Sequence, residues 1–189
     1  MAVTTFLKNI AYLPVILLHD FNRNLHDYFG SLLVKKYIHS SKKIRRFKND
    51  DLARILELDK LCFLRKDYYQ IKKYSKLFRN TFFIYEENDI IVAYFGFYIH
   101  LQFVDFTLIQ KATAFSLCVH PQQQHKGIMK TIYLECLSEL KNNNVTSVSA
   151  CIQVNNTTSL NVHKNLGFFV VDKNNTMCGD DFLKVELKL

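Results

Sequence analysis

At 189 residues, 49% of them hydrophobic, the chain has the length and apolar content of one domain with a core of its own. A formal charge of +8 suits a polyanionic ligand, an anionic lipid surface, nucleic acid or an acidic peptide, and does not choose among them. With only 5 Gly, 2 Pro and no Trp, the chain is too poor in loop residues for a low-complexity protein, so mostly regular structure is expected.

The first 42 residues read as an extension. Phe6 to Leu18 is apolar, but Lys8 and Pro14 interrupt it and Asp20 follows, so it falls short of the roughly 20 residues a membrane span needs. No small-residue cleavage site follows, which argues against a secretory leader. Leu25, Tyr28, Phe29, Leu32, Leu33 and Tyr37 recur at helical spacing beside Arg23, His26, Lys35 and Lys36, and so predict an amphipathic helix. Packing on its own domain, packing in a homodimer, and a peripheral membrane contact through residues 6–37 are the partners such a helix fits.

A strand is expected over Ile44 to Phe47, then a helix capped by Asn49 or Asp50 that buries Leu52, Ile55, Leu56 and Phe63. A second helix, Lys66 to Phe78, interleaves tyrosines with Lys72, Lys73 and Lys76. On a helix this pattern is more often a half-buried face with a solvated flank than a nucleic-acid surface, so no nucleic-acid partner is assigned.

From Thr81 the period changes to that of strands, with two runs around an acidic turn at Glu86 to Asp89 and then the long run Phe106 to His120. Helix Gly127 to Lys141, strand Val145 to Gln153, helix Asn156 to Leu166, strand Phe168 to Asp172 and a last strand near Phe182 to Leu187 complete the order. The five cysteines, Cys62, Cys118, Cys136, Cys151 and Cys178, show no C-x-x-C spacing and mostly lie in apolar runs. They are expected to be reduced core thiols of a cytoplasmic protein. His120 and His125 have no Cys or carboxylate partners at metal spacing, so no metal is assigned.

The chemistry concentrates in SLCVHPQQQHKGIMKTIYLECL. An apolar strand ends at Pro121, a polar loop follows, and a helix begins at once, so a helix N-terminus with unpaired N–H groups stands directly after a strand. Gly127 permits close approach of backbone to a pyrophosphate, while Gln124, His125, Lys126 and Lys130 add donors and positive charge. An ordinary strand-to-helix turn fits this loop nearly as well. A second segment, VNNTTSLNVHKNLGFFVV, supplies a helix cap at Asn156 and a stop at Gly167.

The first segment resembles the acetyl-CoA signature of the GNAT superfamily of acyl-CoA-dependent N-acyltransferases, V-x-P-x-x-[RQ]-x-x-G-x-[GA]. The second is similar to that superfamily's N-x-x-[AS]-x-x-x-[YH]-x-x-x-G-F segment, and IRRFKNDDLARILELDKLCF resembles its opening strand and helix. The match covers residues 43–189 and leans toward protein N-terminal acetyltransferases, including those acting on ribosomal-protein alanine termini.

The resemblance implies an α+β, three-layer fold with a mixed sheet of about six to seven strands and flanking helices. It implies acetyl-CoA as acyl donor and a primary amine as acceptor, either a peptide N-terminus or a small molecule. The backbone of Leu117, Cys118 and Val119 would hold the pantetheine arm, with the Val119 N–H on the thioester carbonyl. Gln124, His125, Lys126, Gly127, Ile128, Met129 and Lys130 would take the pyrophosphate, Asn156 and Ser159 would line the far side, and His163 would protonate the departing thiolate. Two positions depart from the family pattern. Met129 replaces a second glycine or alanine, and Cys151 stands where a glutamate often serves as base. A non-catalytic binding module of the same fold is the competing class.

Overall fold

The computed structural model describes residues 25, 27–35, 43–63, 68–172 and 181–189. Its strands are β1 (Ile44–Arg46), β2 (Phe82–Glu87), β3 (Ile90–Val104), β4 (Thr107–Val119), β5 (Val145–Gln153), β6 (Phe169–Asp172) and β7 (Phe182–Lys188). They form one seven-stranded sheet in the order β1-β2-β3-β4-β5-β7-β6, antiparallel except for the β4–β5 pair. The helices are α1 (Leu52–Cys62), α2 (Tyr69–Leu77), α3 (Ile128–Asn142) and α4 (Thr157–Asn165). The expected fold class and element order are both present.

Two cores explain why the inner strands read as continuous apolar runs, since a strand covered on both faces has no polar side. On one face Phe95, Phe97, Val148 and Ala150 meet Ile132, Tyr133, Cys136 and Leu140 of α3, residues spaced to share one helix face. On the other, Phe82, Ile84 and Tyr94 meet Ile55 and Leu58 of α1 and Ile71 of α2. Tyr74 and Phe78, read in the sequence as part of an aromatic-basic flank, stack together and pack near Tyr98, with Tyr74 edge-on to Phe115. That agrees with the half-buried reading of the second helix.

Ion pairs bind the layers at the sheet's first edge. Arg46 of β1 reaches Glu139 of α3 at 2.5 Å and the Val34 carbonyl at 3.1 Å. Arg45 joins Asp51 and Glu86 at 2.8 Å each, and Asp51 also accepts the Lys48 N–H at 2.7 Å. The side chain that closes the start of the first helix is thus Asp51, not Asn49 or Asp50, because the short 3₁₀ turn Asn49–Asp51 precedes α1.

The cysteines depart from expectation. Cys62, at the end of α1, is disulfide-bonded to Cys118 of β4 across a sequence separation of 56. Cys151 is exposed and also disulfide-bonded, and Cys136 is the free thiol among the described cysteines. Folding brings α1 down onto β4, a proximity that no local spacing announces. The expected helical arm is seen at 27–33, while Phe6 to Leu18, residues 36–42, residues 64–67 and Cys178 lie outside the described residues.

Candidate functional site

β4 and β5 run parallel from Gln110↔Val145 to Ala114↔Ala150, where their pairing stops although both strands continue. A gap therefore opens between Phe115–Val119 and Cys151–Gln153. On its other side β4 stays paired with β3 as far as Ala93↔Val119, and the His120 N–H bonds the Val92 carbonyl at 2.8 Å. Backbone groups alternate in direction along a strand, so Cys118 and His120 turn theirs to β3 while Leu117 and Val119 turn theirs to the gap. Of the three backbone positions expected to hold an acyl carrier, Leu117 and Val119 face the opening. Cys118 faces its strand partner, and its sulfur is tied to Cys62.

Because β4 and β5 are parallel, the connections leaving their C-terminal ends meet at one edge of the sheet, the place where open α/β sheets take ligands. After β4 come a 3₁₀ turn, Pro121–Gln123, and the loop to α3. His125 (φ 63°) and Gly127 (φ 77°) are both left-handed, and an added Cβ on Gly127 would meet nothing within 4 Å. The loop is thus an open cradle ahead of a 15-residue helix whose first N–H groups have no partner within the helix. Lys126 and Lys130 are exposed cations of this loop and helix start, and Lys126 lies within electrostatic reach of Glu87 on β2. This geometry fits a pyrophosphate. Gln124 hydrogen-bonds back through Nε2 to the Val119 carbonyl at 3.1 Å, and Lys126 donates to Gln123 at 2.7 Å, so both shape the loop. Ile128 is buried and Met129 packs against the core, which leaves the phosphate cradle clear of the longer side chain.

After β5, exposed Asn156 caps α4, its Oδ1 accepting the Ser159 N–H at 3.0 Å. One turn on, His163 is buried between Tyr133 and Phe168. Its Nδ1 lies 2.8 Å from the Ser159 carbonyl, which can only accept, so Nδ1 carries the proton. Nε2, at 2.7 Å from Tyr133 Oη, then accepts the tyrosine's proton. Burial lowers the His163 pKa, against the opposing pull of the Ser159 carbonyl. The ring is therefore held neutral, with both nitrogens engaged. Tyr133 was not singled out in the sequence, since nothing local marks it as the histidine's partner 30 residues away.

On the α1 face of the gap, buried Asp59 accepts the Tyr94 hydroxyl, which lies 3.1 Å from Ser116 Oγ of β4. Farther down, Thr113 and Ser149 join β4 to β5 at 2.9 Å, and Thr113 meets His100 at 3.2 Å. The gap walls Phe115–Val119 and Cys151–Gln153 carry no carboxylate. Among the described residues no cluster of three or more His, Cys, Asp or Glu could hold a metal ion.

A model of the acetyltransferase (GNAT) family matches residues 49–168. Solved structures share the fold. The ribosomal-protein-S18-alanine N-acetyltransferase of Escherichia coli is 16% identical, with TM-score 0.61, over 77% of this chain and 92% of that one. Arabidopsis thaliana Naa50, in complex with the bisubstrate analogue CoA-Ac-MVNAL, is 16% identical, with TM-score 0.64, over 77% and 97%. The yncA protein of Salmonella typhimurium, solved with its cofactor acetyl-CoA, is 23% identical, with TM-score 0.60, over 77% and 92%. No curated protein matches by sequence.

Proposed function

The chain belongs to the acetyltransferase (GNAT) family, and on that footing we propose that its acceptor is the α-amine of a polypeptide N-terminus. As a family member it is an acyl-CoA-dependent N-acetyltransferase that takes its acyl group from acetyl-CoA. The observation that carries the choice of acceptor is the lack of a carboxylate on the gap walls, where Cys151 is disulfide-bonded. With no carboxylate on those two strand segments, and with Asp59 buried and engaged by the Tyr94 hydroxyl, the acceptor would lose its proton to water. An α-amine, with a pKa of about 8, does so readily near neutral pH, whereas a lysine at about 10.4 rarely does. The likeness to structures of N-terminal acetyltransferases supports the same reading.

Bound acetyl-CoA supplies an acyl group already activated as a thioester. The N–H groups at the head of α3, with His125, Lys126 and Lys130, would hold its phosphates, and Asn156 would line the opposite wall. The Val119 N–H, aimed into the gap, would donate to the acyl oxygen as negative charge gathers there, a contribution of about 3 kcal/mol. Once doubly protonated, His163 would pass its Nε2–H proton to the Tyr133 oxygen as that hydroxyl gives its own proton to the departing sulfur.

The test is a comparison of acetylation rates on peptides with a free N-terminus, N-blocked lysine peptides and a polyamine, with calorimetric binding of acetyl-CoA to wild type and Gly127→Trp. We expect binding that Gly127→Trp abolishes, and turnover of free N-termini at least about tenfold above the other acceptors. Faster polyamine turnover would replace the acceptor, and binding without turnover of any amine would leave a binding module.

A further inference from the structure

The β3–β4 hairpin outruns its neighbours. β2 pairs with β3 only from Gly96 toward its start, and β5 reaches β4 only from Gln110 onward, so the hairpin's far end has no flanking strand. The helical segment 27–33 takes the place of one along β3. Gly30 sits so close to Ile99 that a Cβ there would come within 2.3 Å of the carbonyl oxygen, and Asp27 meets His100 at 2.8 Å. Beyond that contact the tip stands bare, with Phe103 80% exposed and Phe106 fully exposed. Phe106 turns the chain at φ 60°, a state that glycine or asparagine fills at little cost and phenylalanine does not. Tyr28 and Phe29 of the adjoining segment are exposed as well, which extends the apolar surface along the same edge.

Soluble surfaces rarely leave two phenylalanines at a hairpin tip uncovered without a use. The surroundings say what would cover them. Between the segment and α2 runs a groove of about 320 Å³ whose lining includes Tyr28, Ser31, Lys76, Arg79 and Asn80 and no carboxylate, and Lys35 is exposed at the segment's end. Tyr28 shares that groove with Lys76 and Arg79, so cations adjoin the aromatic face of the segment that continues the tip's apolar edge, and apolar side chains beside cations are the chemistry of an anionic lipid surface. The tip suits only shallow insertion, because its inner ladder is paired down to Val104↔Thr107 while its outer edges have no strand partner and their backbone groups need the wet headgroup layer. Asp105 in the turn limits the depth to the headgroup layer.

We infer that this edge of the molecule docks on an anionic membrane, with Phe103 and Phe106 entering the headgroup region and Lys76 and Arg79 on the phosphates. Among the described residues no helix is long and apolar enough to cross a bilayer, so the contact is peripheral. The inference stands apart from the choice of acceptor. Its test is co-sedimentation of the full chain with phosphatidylcholine vesicles, neutral or containing about a third phosphatidylserine.

We expect binding to the anionic vesicles about tenfold or more above the neutral ones. Phe103→Ser with Phe106→Ser should lower it by about tenfold, and Lys76→Gln with Arg79→Gln should remove the preference for negative lipid. Both double variants should bind acetyl-CoA as wild type does, which certifies the fold. Failure of the wild type to bind either vesicle, or undiminished binding by the phenylalanine variant, overturns the inference. So does a dimer in sedimentation velocity that the same variant dissociates, since the patch would then bind a second copy.

Discussion

His163 donates Nδ1–H to a carbonyl on one side and accepts a tyrosine hydroxyl on the other, and burial lowers its pKa against the carbonyl, which raises it. A histidine whose folded pKa lies below its unfolded value of about 6.5 costs stability on the acid side. As pH falls through 6.5 the unfolded chain takes up a proton that the native ring refuses. Glu139 works against it in the same window, because burial pushes its carboxyl up to about 7, so the native state binds the extra proton there. The two are separated by difference. The melting temperature of wild type minus that of His163→Gln should shrink as pH is lowered from about 7.5 to 5.5, with Glu139 cancelling. A difference that stays constant or grows would mean that the buried ring does not resist protonation. The same variant tests the proton donor, since a wild-type kcat that declines with rising pH and a flat profile in His163→Gln are expected of a true acid. The resemblance to the GNAT superfamily's second segment pointed to His163, but its tautomer depends on Tyr133, which the chain supplies from another helix.

At the scale of elements, Arg46 and Glu139 join the first strand to α3, with the carboxylate side chain 4% exposed and the guanidinium 20%. Removing the cation lets the buried Glu139 carboxyl take up a proton and leaves it without its partner, so Arg46→Met should cost about 2 kcal/mol in urea unfolding, while Arg46→Met with Glu139→Leu should recover most of that loss. A double variant no more stable than the single would show that the arginine acts through the Val34 carbonyl instead, holding the helical segment down. The strand-to-helix joints at Pro121 and Asn156 were legible because turn and cap chemistry is local. The disulfide between Cys62 and Cys118 was not, since it depends on how α1 lies across β4. The reach of β3 to Val104 was hidden for a related reason, as the Asp105-Phe106 turn has phenylalanine where the usual hairpin turn has glycine.

Across the whole molecule, two groups of exposed cations lie apart among the described residues of a chain whose net charge is +8. One lies at the head of α3, where Lys126 and Lys130 stand exposed beside the left-handed loop, and the other lies along the groove that holds Lys76 and Arg79. Composition gave the total and could not place these groups, because their placement follows from which helices the fold turns outward. A polyanionic donor should feel chiefly the first, since charges farther away than the Debye length of about 8 Å at physiological salt are screened. Raising salt from about 20 mM to 0.3 M should therefore weaken acetyl-CoA binding several-fold, mostly through slower association. Lys126→Gln with Lys130→Gln should flatten that dependence, measured by stopped-flow association. Lys76→Gln with Arg79→Gln should leave it unchanged, and a slope altered equally by both pairs would mean that the charges act as one field, with no separate cradle at the helix N-terminus.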